Sequence, residues 1–174
     1  MVGKIKKENY STFFVLSLIV FCFSFRTAMA GTAAVSWNAN SESDLAGYLL
    51  YYDTVSHAGT CPTGYANSVD VGNVTSYALN NLPNGHVYYF QLTAYDNASP
   101  RNVSACSTNP GEVFKVITYP GDLDNNRNVN IFDYNILVTN FGSTSSGNPA
   151  DIDKNGVVNI FDYNLLIADF GGSF

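Results

Sequence analysis

Residues 82–96 read LPNGHVYYFQLTAYD, and this stretch decides the fold of the first half of the chain. Its first four residues contain the proline and glycine of a tight turn. The following run is rich in valine, tyrosine, phenylalanine and threonine, the residue types that strands favour. We therefore predict a long inner strand over residues 87–95, entered through the turn.

Further short β segments stand on both sides of this strand. Between Ala33 and Tyr119 the chain is rich in Val, Tyr, Thr and Leu and is interrupted by Gly, Pro, Asn and Ser at intervals of roughly 8–12 residues, which is typical of a β-sandwich. No helical period competes with this pattern. The other predicted strands are 33–37, 47–52, 68–71, 76–79 and 112–118.

Three features of this half resemble a fibronectin type III domain. They are Trp37 on an early strand, the tyrosine-rich segment Tyr48–Tyr52, and the pattern L-P-x-G-x-x-Y-x-F-x-L-x-A-x-D from Leu82 to Asp96. The resemblance implies a corner hydrogen bond from Tyr88, six residues after the leucine. It also implies that these aromatic residues serve the core, namely Trp37, Tyr48, Tyr88 and Phe90. A sugar-binding aromatic platform at exposed tyrosines is the alternative, at Tyr51, Tyr52 or Tyr65.

After Tyr119-Pro120-Gly121 the chain repeats itself with a period of 29 residues. Residues 122–142 read DLDNNRNVNIFDYNILVTNFG and residues 151–171 read DIDKNGVVNIFDYNLLIADFG, with 13 of 21 aligned positions identical. A polar linker, STSSGNP, lies between the copies. We conclude that the second half is a duplicated unit.

Each copy carries oxygen-bearing side chains at positions 1, 3, 5, 9 and 12 of a twelve-residue window. Calcium takes about six to eight oxygen ligands, and a loop can supply them from alternate residues, with a backbone carbonyl at position 7. A solvated acidic tail is the alternative, but the acids are in phase and each copy leads into an apolar helical pattern. The predicted ligands are Asp122, Asp124, Asn126, Asn128, Asn130 and Asp133, then Asp151, Asp153, Asn155, Val157, Asn159 and Asp162.

Two positions depart from the EF-hand loop pattern, D-x-[DN]-x-[DN]-G-x5-E. Position 12 is Asp in both copies. Position 6, where a left-handed backbone favours glycine, is Gly156 in the second copy but Arg127 in the first. We therefore predict that the first site is the weaker one. The apolar helix residues are expected to be buried, namely Ile131, Phe132, Ile136, Leu137 and Phe141, with Ile160, Phe161, Leu165, Leu166 and Phe170.

A proline precedes each loop where an EF-hand has its first helix, so each copy is a loop followed by a helix. This arrangement, with Asp at position 12, resembles a type I dockerin from Gly121 to Gly171. The resemblance implies structural calcium, antiparallel packing about a pseudo-twofold axis, and a cohesin-like protein partner at loop positions 10 and 11. Well-known members have Ser-Thr there, and this chain has Ile131, Phe132, Ile160 and Phe161. Two readings stay open, core completion or two equivalent apolar docking patches.

The first thirty residues predict a secretory signal. Three lysines lie within the first seven residues, residues 13–25 are almost wholly apolar, and Ala28-Met29-Ala30 is a cleavage-type end. A membrane anchor is the alternative, although the apolar run is shorter than the roughly 20 residues that span a bilayer. The predicted domains are a signal over 1–30, the sandwich over 31–119 and the calcium unit over 120–174.

Cleavage after Ala30 would change the charge and the cysteine count. The whole chain has a formal charge of −6, and without its first thirty residues it keeps 4 basic and 13 acidic residues, a charge of −9. Such a surface disfavours nucleic acid and anionic lipid, so membrane contact is expected only through the export signal. Cys61 and Cys106 remain, and export predicts a disulfide between them. His57 and His86 are predicted to be solvated loop histidines.

These patterns predict a mainly β protein with a small α part, a fibronectin type III-like sandwich followed by a dockerin-like calcium unit. The predicted function is an exported, non-catalytic interaction or adhesion module, secreted or on the cell surface, that attaches the sandwich to a partner or to the cell exterior. The alternative is a carbohydrate-binding or scaffold-docking accessory of a polysaccharide-degrading system. We predict no catalytic residues, because Glu42, Asp44 and Glu112 lack the apolar context of a tuned acid–base pair.

Overall fold

The structure is a computed structural model that describes residues 30–108 and 111–174. The predicted export signal lies outside the described residues except for Ala30, so the cleavage site stays a prediction. Among the described residues, no helix has the length and apolar character needed to cross a bilayer.

Six strands and two helices follow one another within residues 30–108 and 111–174, and each predicted β segment forms one of the strands. The prediction of a mainly β fold with a small α part is therefore confirmed. The strands are β1 (Gly31–Ser36), β2 (Leu45–Asp53), β3 (Asn67–Gly72), β4 (Ser76–Leu82), β5 (His86–Asp96) and β6 (Val113–Ile117), and the helices are α1 (Ile131–Thr139) and α2 (Ile160–Asp169).

The strands form two sheets with antiparallel pairing throughout. One sheet has the order β1-β4 and the other the order β3-β2-β5-β6. Alternate side chains of each strand point between the sheets, as a pleated strand requires. The buried residues of this core are Ala33, Leu50, Leu79, Leu82, Tyr88, Phe90 and Ile117.

The aromatic residues of the family pattern serve this core. Tyr48, Tyr88 and Phe90 are buried, and half-buried Trp37 packs edge-on against Tyr48 with ring centroids 5.4 Å apart. The Tyr88 hydroxyl donates to the Pro83 carbonyl at 3.5 Å. The corner contact that the resemblance implied is therefore present.

The three tyrosines suggested as an exposed sugar platform are all partly buried. Tyr52 stacks on Phe90 with centroids 6.4 Å apart, because its position on β2 faces the space between the sheets. The Tyr65 hydroxyl donates to Glu112, and its ring lies 4.8 Å from that of His57. The expectation that these tyrosines are exposed is therefore wrong.

The loop between β2 and β3 is held by a disulfide and a polar network. Cys61 and Cys106 form the predicted disulfide, with Cα atoms 6.1 Å apart. The Ala66 amide donates to Asp53 and, as the largest cause, holds the pKa of that carboxyl below its ordinary value. His57 is half-buried and 3.1 Å from Asp53, so the prediction of a solvated loop histidine is wrong for it. His86 is exposed.

The second half packs around a small core of its own. Short antiparallel contacts join the two copies: the Val129 amide donates to the Gly172 carbonyl, and the Val158 amide donates to the Ser143 carbonyl. Each calcium-loop candidate is thereby tied to the residues that follow the helix of the other copy. The buried residues are Leu123, Val129, Leu137, Ala150, Ile152, Val158 and Leu166.

Candidate metal centre

Each repeat brings three carboxylates together at the start of its helix. Asp122, Asp124 and Asp133 each offer an oxygen, and these oxygens lie within 4.8 Å of one another. The same holds for Asp151, Asp153 and Asp162 in the second copy. In both clusters the acids at positions 1 and 12 are buried and the acid at position 3 is exposed.

The position-12 aspartate is fixed by backbone amides from both ends of its loop. In the first loop, Asp133 Oδ1 accepts from the amides of Leu123 and Asp124 at 2.8 and 3.2 Å, and Oδ2 accepts from Asn130 at 2.8 Å. Asp162 makes the equivalent three bonds in the second loop. Both side chains are fully buried. Their oxygens lie within 4.8 Å of those of the other two aspartates in the cluster, so the short carboxylate reaches it without the extra methylene of glutamate.

The asparagine at position 9 of each loop is also the residue at which the following helix begins. Asn130 and Asn159 are N-caps, and their side chains accept from the amides of Phe132 and Phe161 at 2.8 Å. Together with the position-12 aspartates they form capping boxes, which satisfy amides that a helix leaves unpaired. The residue types that suit a cation therefore also place the helix start.

The oxygens at positions 5 and 7 are engaged within the loops. Asn126 Oδ1 accepts from the Asn128 amide at 2.8 Å, and Asn155 Oδ1 accepts from the Val157 amide at 2.9 Å. The Val157 carbonyl accepts from the Asn159 side chain at 2.9 Å. The predicted ligands at positions 5 and 7 thus lie in the same loops as the clustered carboxylates.

These clusters have the chemistry of a site for a hard cation. Asp151 Oδ1 is buried and has no hydrogen-bond partner among the described residues. Burial, and then repulsion from Asp133 and Asp124, raise the pKa of Asp122 against the effect of its two amide bonds. Buried carboxylate oxygens without donors are unfavourable unless a cation compensates them. An all-oxygen donor set of this kind fits calcium.

The backbone conformation of the loops shows one feature that the sequence pattern did not predict. Position 6 has a positive φ in both copies, 72° at Arg127 and 92° at Gly156. Position 4 has one as well, 59° at Asn125 and 61° at Lys154. Each loop therefore has one residue with a long side chain in a backbone region that favours glycine or asparagine.

The predicted docking residues lie at the surface. Ile131 and Ile160 are each 54% exposed, and Phe132 and Phe161 are each 64% exposed. The expectation that they are buried is wrong, as it is for Phe141 and Phe170, which are also exposed. In the first turn of each helix the position-12 aspartate is fully buried while the Ile-Phe pair is exposed, and the other fully buried helix residues are Leu137 and Leu166.

Comparisons with known proteins cover both halves of the chain. A family model described as fibronectin type III domain matches residues 22–109, and one described as dockerin type I domain matches residues 120–170. A Kelch domain-containing protein of Saccharolobus solfataricus is 32% identical over 80 residues, 44% of this chain and 10% of that protein. The chain thus spans about a tenth of that relative's length.

Solved structures with similar folds match about half of the chain. A myokine structure has a TM-score of 0.37 and 18% identity, covering 53% of this chain and 88% of that one. The FN1–FN3 domains of chicken CNTN1 have a TM-score of 0.35 and 22% identity, covering 51% and 28%. A fibronectin type III domain of the human KIAA0970 protein has a TM-score of 0.34 and 18% identity, covering 53% and 67%.

The fold and the two clusters define a protein built from non-catalytic module types, a β-sandwich and a duplicated calcium-loop unit. The chain belongs to the fibronectin type III domain family, and a type I dockerin domain follows the sandwich. Type I dockerin domains bind calcium and dock onto cohesins. Both module types are typical of extracellular proteins, and the disulfide is consistent with such a location.

Proposed function

We propose that this chain is an exported, non-catalytic docking protein. In it, calcium fills both loops and the dockerin unit attaches the sandwich to a protein partner or to the cell exterior. The observation that carries the proposal is the duplication of the whole arrangement. Two carboxylate clusters, in phase, each begin a helix whose first two residues are an exposed Ile-Phe pair.

Calcium is proposed as a structural cofactor held by the twelve residues predicted from the loop pattern. A bound ion would neutralise the converging carboxylates, so its uptake and the folding of this half should be linked. We expect calorimetric titration of the chelator-stripped chain to show uptake at two sites. Asp151→Ala should remove one of them, whereas Asp44→Ala, a change in the sandwich, should remove neither. An absence of calcium uptake by the unaltered chain would contradict the proposal.

The docking surface is proposed to be the two Ile-Phe pairs. Their exposures are equal in the two copies, as expected if a partner can dock on either one after a rotation of about 180°. Ile131→Asp or Ile160→Asp alone should then leave binding to immobilised cohesin nearly intact, and the double change should abolish it without altering calcium affinity.

The docking test has two results that would count against it. Unfolding of either single variant would identify these isoleucines as structural residues. Full binding by the double variant would place the contact elsewhere. A matched change on the exposed face further along the helix, Val138→Asp, is expected to preserve binding if the docking surface is confined to the first turn.

Export and the accessory role are proposals with their own tests. Intact mass of the secreted protein should correspond to a chain that begins at Gly31, and retention of residues 13–25 would contradict cleavage. The alternative function is scaffold docking in a polysaccharide-degrading system, which the dockerin domain favours. A pull-down on insoluble polysaccharide tests the carbohydrate-binding form of that alternative, which the partly buried tyrosines of the sandwich do not favour.

A further inference from the structure

Four asparagines of the chain begin an N-x-[ST] tripeptide, the acceptor sequence for an N-linked glycan in exported proteins. Asn9 lies within the predicted export signal, and the other three are Asn73, Asn97 and Asn102 in the sandwich. Ten asparagines follow Tyr119, and none of them begins such a tripeptide. Beyond residue 30 the acceptor sequence is therefore confined to the sandwich, and the local structure distinguishes its three copies.

Asn73 lies in the turn between β3 and β4, and residues 73–75 are all exposed. Among the described residues, the only hydrogen-bond partner of the Asn73 side chain is the Leu45 carbonyl at 3.5 Å, near the limit of such a bond. The Thr75 hydroxyl makes no hydrogen bond with any described residue. Its carbonyl accepts from the Trp37 amide at 3.0 Å, which holds the turn in place. The amide nitrogen and the hydroxyl of this tripeptide are therefore both accessible.

The Asn73 turn is remote in the fold from the residues that flank the undescribed segments. Residues 109–110 precede β6, which is the opposite edge of its sheet from β3. Residues 1–29 precede β1, whose first residue, Gly31, pairs with Leu82 at the far end of β4 from the turn.

The same tripeptide at Asn102 is engaged in hydrogen bonds. The Asn102 side-chain nitrogen donates to the Asp96 carboxylate at 2.6 Å, a bond to a charged acceptor. The Ser104 hydroxyl accepts from the Ala94 amide at 2.9 Å and donates to the Ala105 carbonyl at 2.7 Å. Modification of Asn102 would require these bonds to break, so this tripeptide is an internal control for the one at Asn73.

Asn97 is an intermediate case. It is exposed, and its side chain makes no hydrogen bond with any described residue. Ser99, however, precedes Pro100, which restricts the backbone of Ser99 to extended conformations. Asn73 therefore combines an accessible amide nitrogen with the least restricted hydroxyl residue.

We propose that the side chain of Asn73 is the acceptor of an N-linked oligosaccharide. In the transfer, its Nδ2 atom forms a bond to the anomeric carbon of the sugar, the bond from that carbon to the phosphate of the donor breaks, and Nδ2 loses one proton. The donor is an oligosaccharide linked to a polyprenyl phosphate, and nothing is oxidised or reduced. The inference rests on the proposed export, because this modification belongs to exported proteins.

A glycan on Asn73 would stand at the end of the sandwich away from the dockerin domain. The Asn73 side chain contacts Leu45, which pairs with Asp96 at the end of β5. Strand β5 begins at His86, which pairs with Ile117 just before the dockerin domain. Its 11 residues extend over roughly 35 Å. The glycan would therefore leave the proposed docking surface accessible.

Transfer to the purified, folded chain tests the site independently of export. The chain is incubated with an oligosaccharyltransferase specific for N-x-[ST] and with a lipid-linked oligosaccharide, and peptide mass mapping measures the occupancy of each asparagine. Occupancy of Asn73 should exceed that of Asn102 at least about tenfold, because modification of Asn102 costs a hydrogen bond to a charged group. Equal occupancy of the two asparagines, or no transfer to Asn73, would overturn the inference.

Substitutions of Thr75 test whether the tripeptide itself is recognised. Thr75→Ala removes the hydroxyl, keeps Asn73 and should abolish transfer to it. Thr75→Ser is the matched control, since it keeps a hydroxyl, and it should retain transfer. Both changes are at an exposed position, so the melting temperature should stay the same. Transfer to Asn73 that persists in Thr75→Ala would overturn the inference.

Mass mapping of the protein from the cells that encode it separates this inference from the proposed function. A secreted chain with a glycan on Asn73 supports both. A secreted chain with an unmodified Asn73 would overturn the inference and leave the proposed export intact. A chain retained inside the cells, beside transfer to Asn73 in vitro, would contradict export and still support the acceptor site. Cohesin binding should be the same for the glycosylated chain and for Thr75→Ala.

Discussion

Position 6 of the first loop is the residue at which backbone conformation and side chain conflict most directly. Arg127 has a φ of 72°, and its amide donates to Asp122 at 3.0 Å, as Gly156 donates to Asp151 in the second loop. The backbone is therefore the same in both copies, although a side chain in this region costs about 1–2 kcal/mol. That strain at position 6 is the basis for predicting a weaker first site, but Lys154, with a φ of 61° at position 4, places a comparable strain in the second loop.

We predict that Arg127→Gly raises the calcium affinity of the first loop about fivefold, the equivalent of about 1 kcal/mol of relieved strain. Calorimetric titration measures the change. Arg127→Gln is the matched control, since it removes the charge and keeps the strained Cβ, and it should give a smaller gain. Equal gains from both variants would assign the effect to charge. A gain from neither would contradict the strain argument.

A second residue-scale conflict involves Asp169, the last residue of α2. Its buried carboxylate accepts from the Gly121 amide at 2.9 Å, and burial raises its pKa against the effect of that bond. Because the folded-state pKa is raised, this group favours folding below the ordinary pKa of aspartate, and that contribution is lost as the pH rises through the raised value. At neutral pH its charge is therefore unfavourable. The first copy has the uncharged Asn140 at this position.

We predict that Asp169→Asn raises the melting temperature at pH 7 by a few degrees in saturating calcium, because an amide oxygen can accept the same bond without charge. The difference from the unaltered chain should shrink as the pH falls toward 4. The reverse exchange, Asn140→Asp, should destabilise at neutral pH. A gain that is independent of pH would refute the role assigned to the buried charge.

At the scale of elements, each calcium loop depends on residues from the opposite copy. Val129, between positions 7 and 9 of the first loop, bonds to Gly171 and Gly172, and the Phe174 amide donates to the Arg127 carbonyl at 3.3 Å. The second loop bonds instead to Gly142 and Ser143, which lie inside the chain. Residues 171–174 therefore bond to the first loop and not to the second.

We predict that deletion of residues 172–174 lowers the calcium affinity of the first loop about tenfold, because about two backbone hydrogen bonds are lost, and leaves the second loop nearly unchanged. Site-resolved calcium titration by nuclear magnetic resonance separates the two loops. Phe174→Leu keeps the backbone and serves as the control. An equal loss at both loops would show that the deletion damages the whole unit.

The sequence predicted those elements whose signal is local. Alternation and turn residues located the six strands, and the phase of Asp122 with Asp151 located both loops. The sequence did not decide which apolar helix residues are exposed, because apolar side chains lie on several faces of each short helix and only the packing of the two copies selects Leu137 and Leu166. The partial burial of Tyr65 and His57 also depends on a distant residue, Glu112, which spacing along the chain does not indicate.

At the scale of the whole molecule, one side chain lies between the two domains. The Tyr119 ring packs so closely against Gly85 of the sandwich and Gly172 of the dockerin unit that a Cβ atom at either glycine would clash with it. The centroid of the Tyr119 ring lies 6.0 Å from that of the Phe174 ring. The connection is short, since β6 ends at Ile117 and the Asp122 amide already donates to the Tyr119 carbonyl. Both domains thus contact the residue that joins them.

The last prediction is that Tyr119 makes the two domains tumble as one body in the presence of calcium. Amide nitrogen relaxation should give both domains of the unaltered chain the same rotational correlation time, because a short connection with an aromatic contact on each side restricts the hinge. Tyr119→Ala should shorten and separate the two values while each domain keeps its fold. Phe114→Ala is the control, since Phe114 is an exposed aromatic residue on β6 that is 68% accessible to solvent, and it should change neither value. Removal of calcium should mimic Tyr119→Ala, because Gly172 and Phe174 are held against Tyr119 through the first loop. Separate correlation times in the calcium-loaded, unaltered chain would contradict the prediction, and a dockerin unit on a free hinge would then present its docking surface independently of the sandwich.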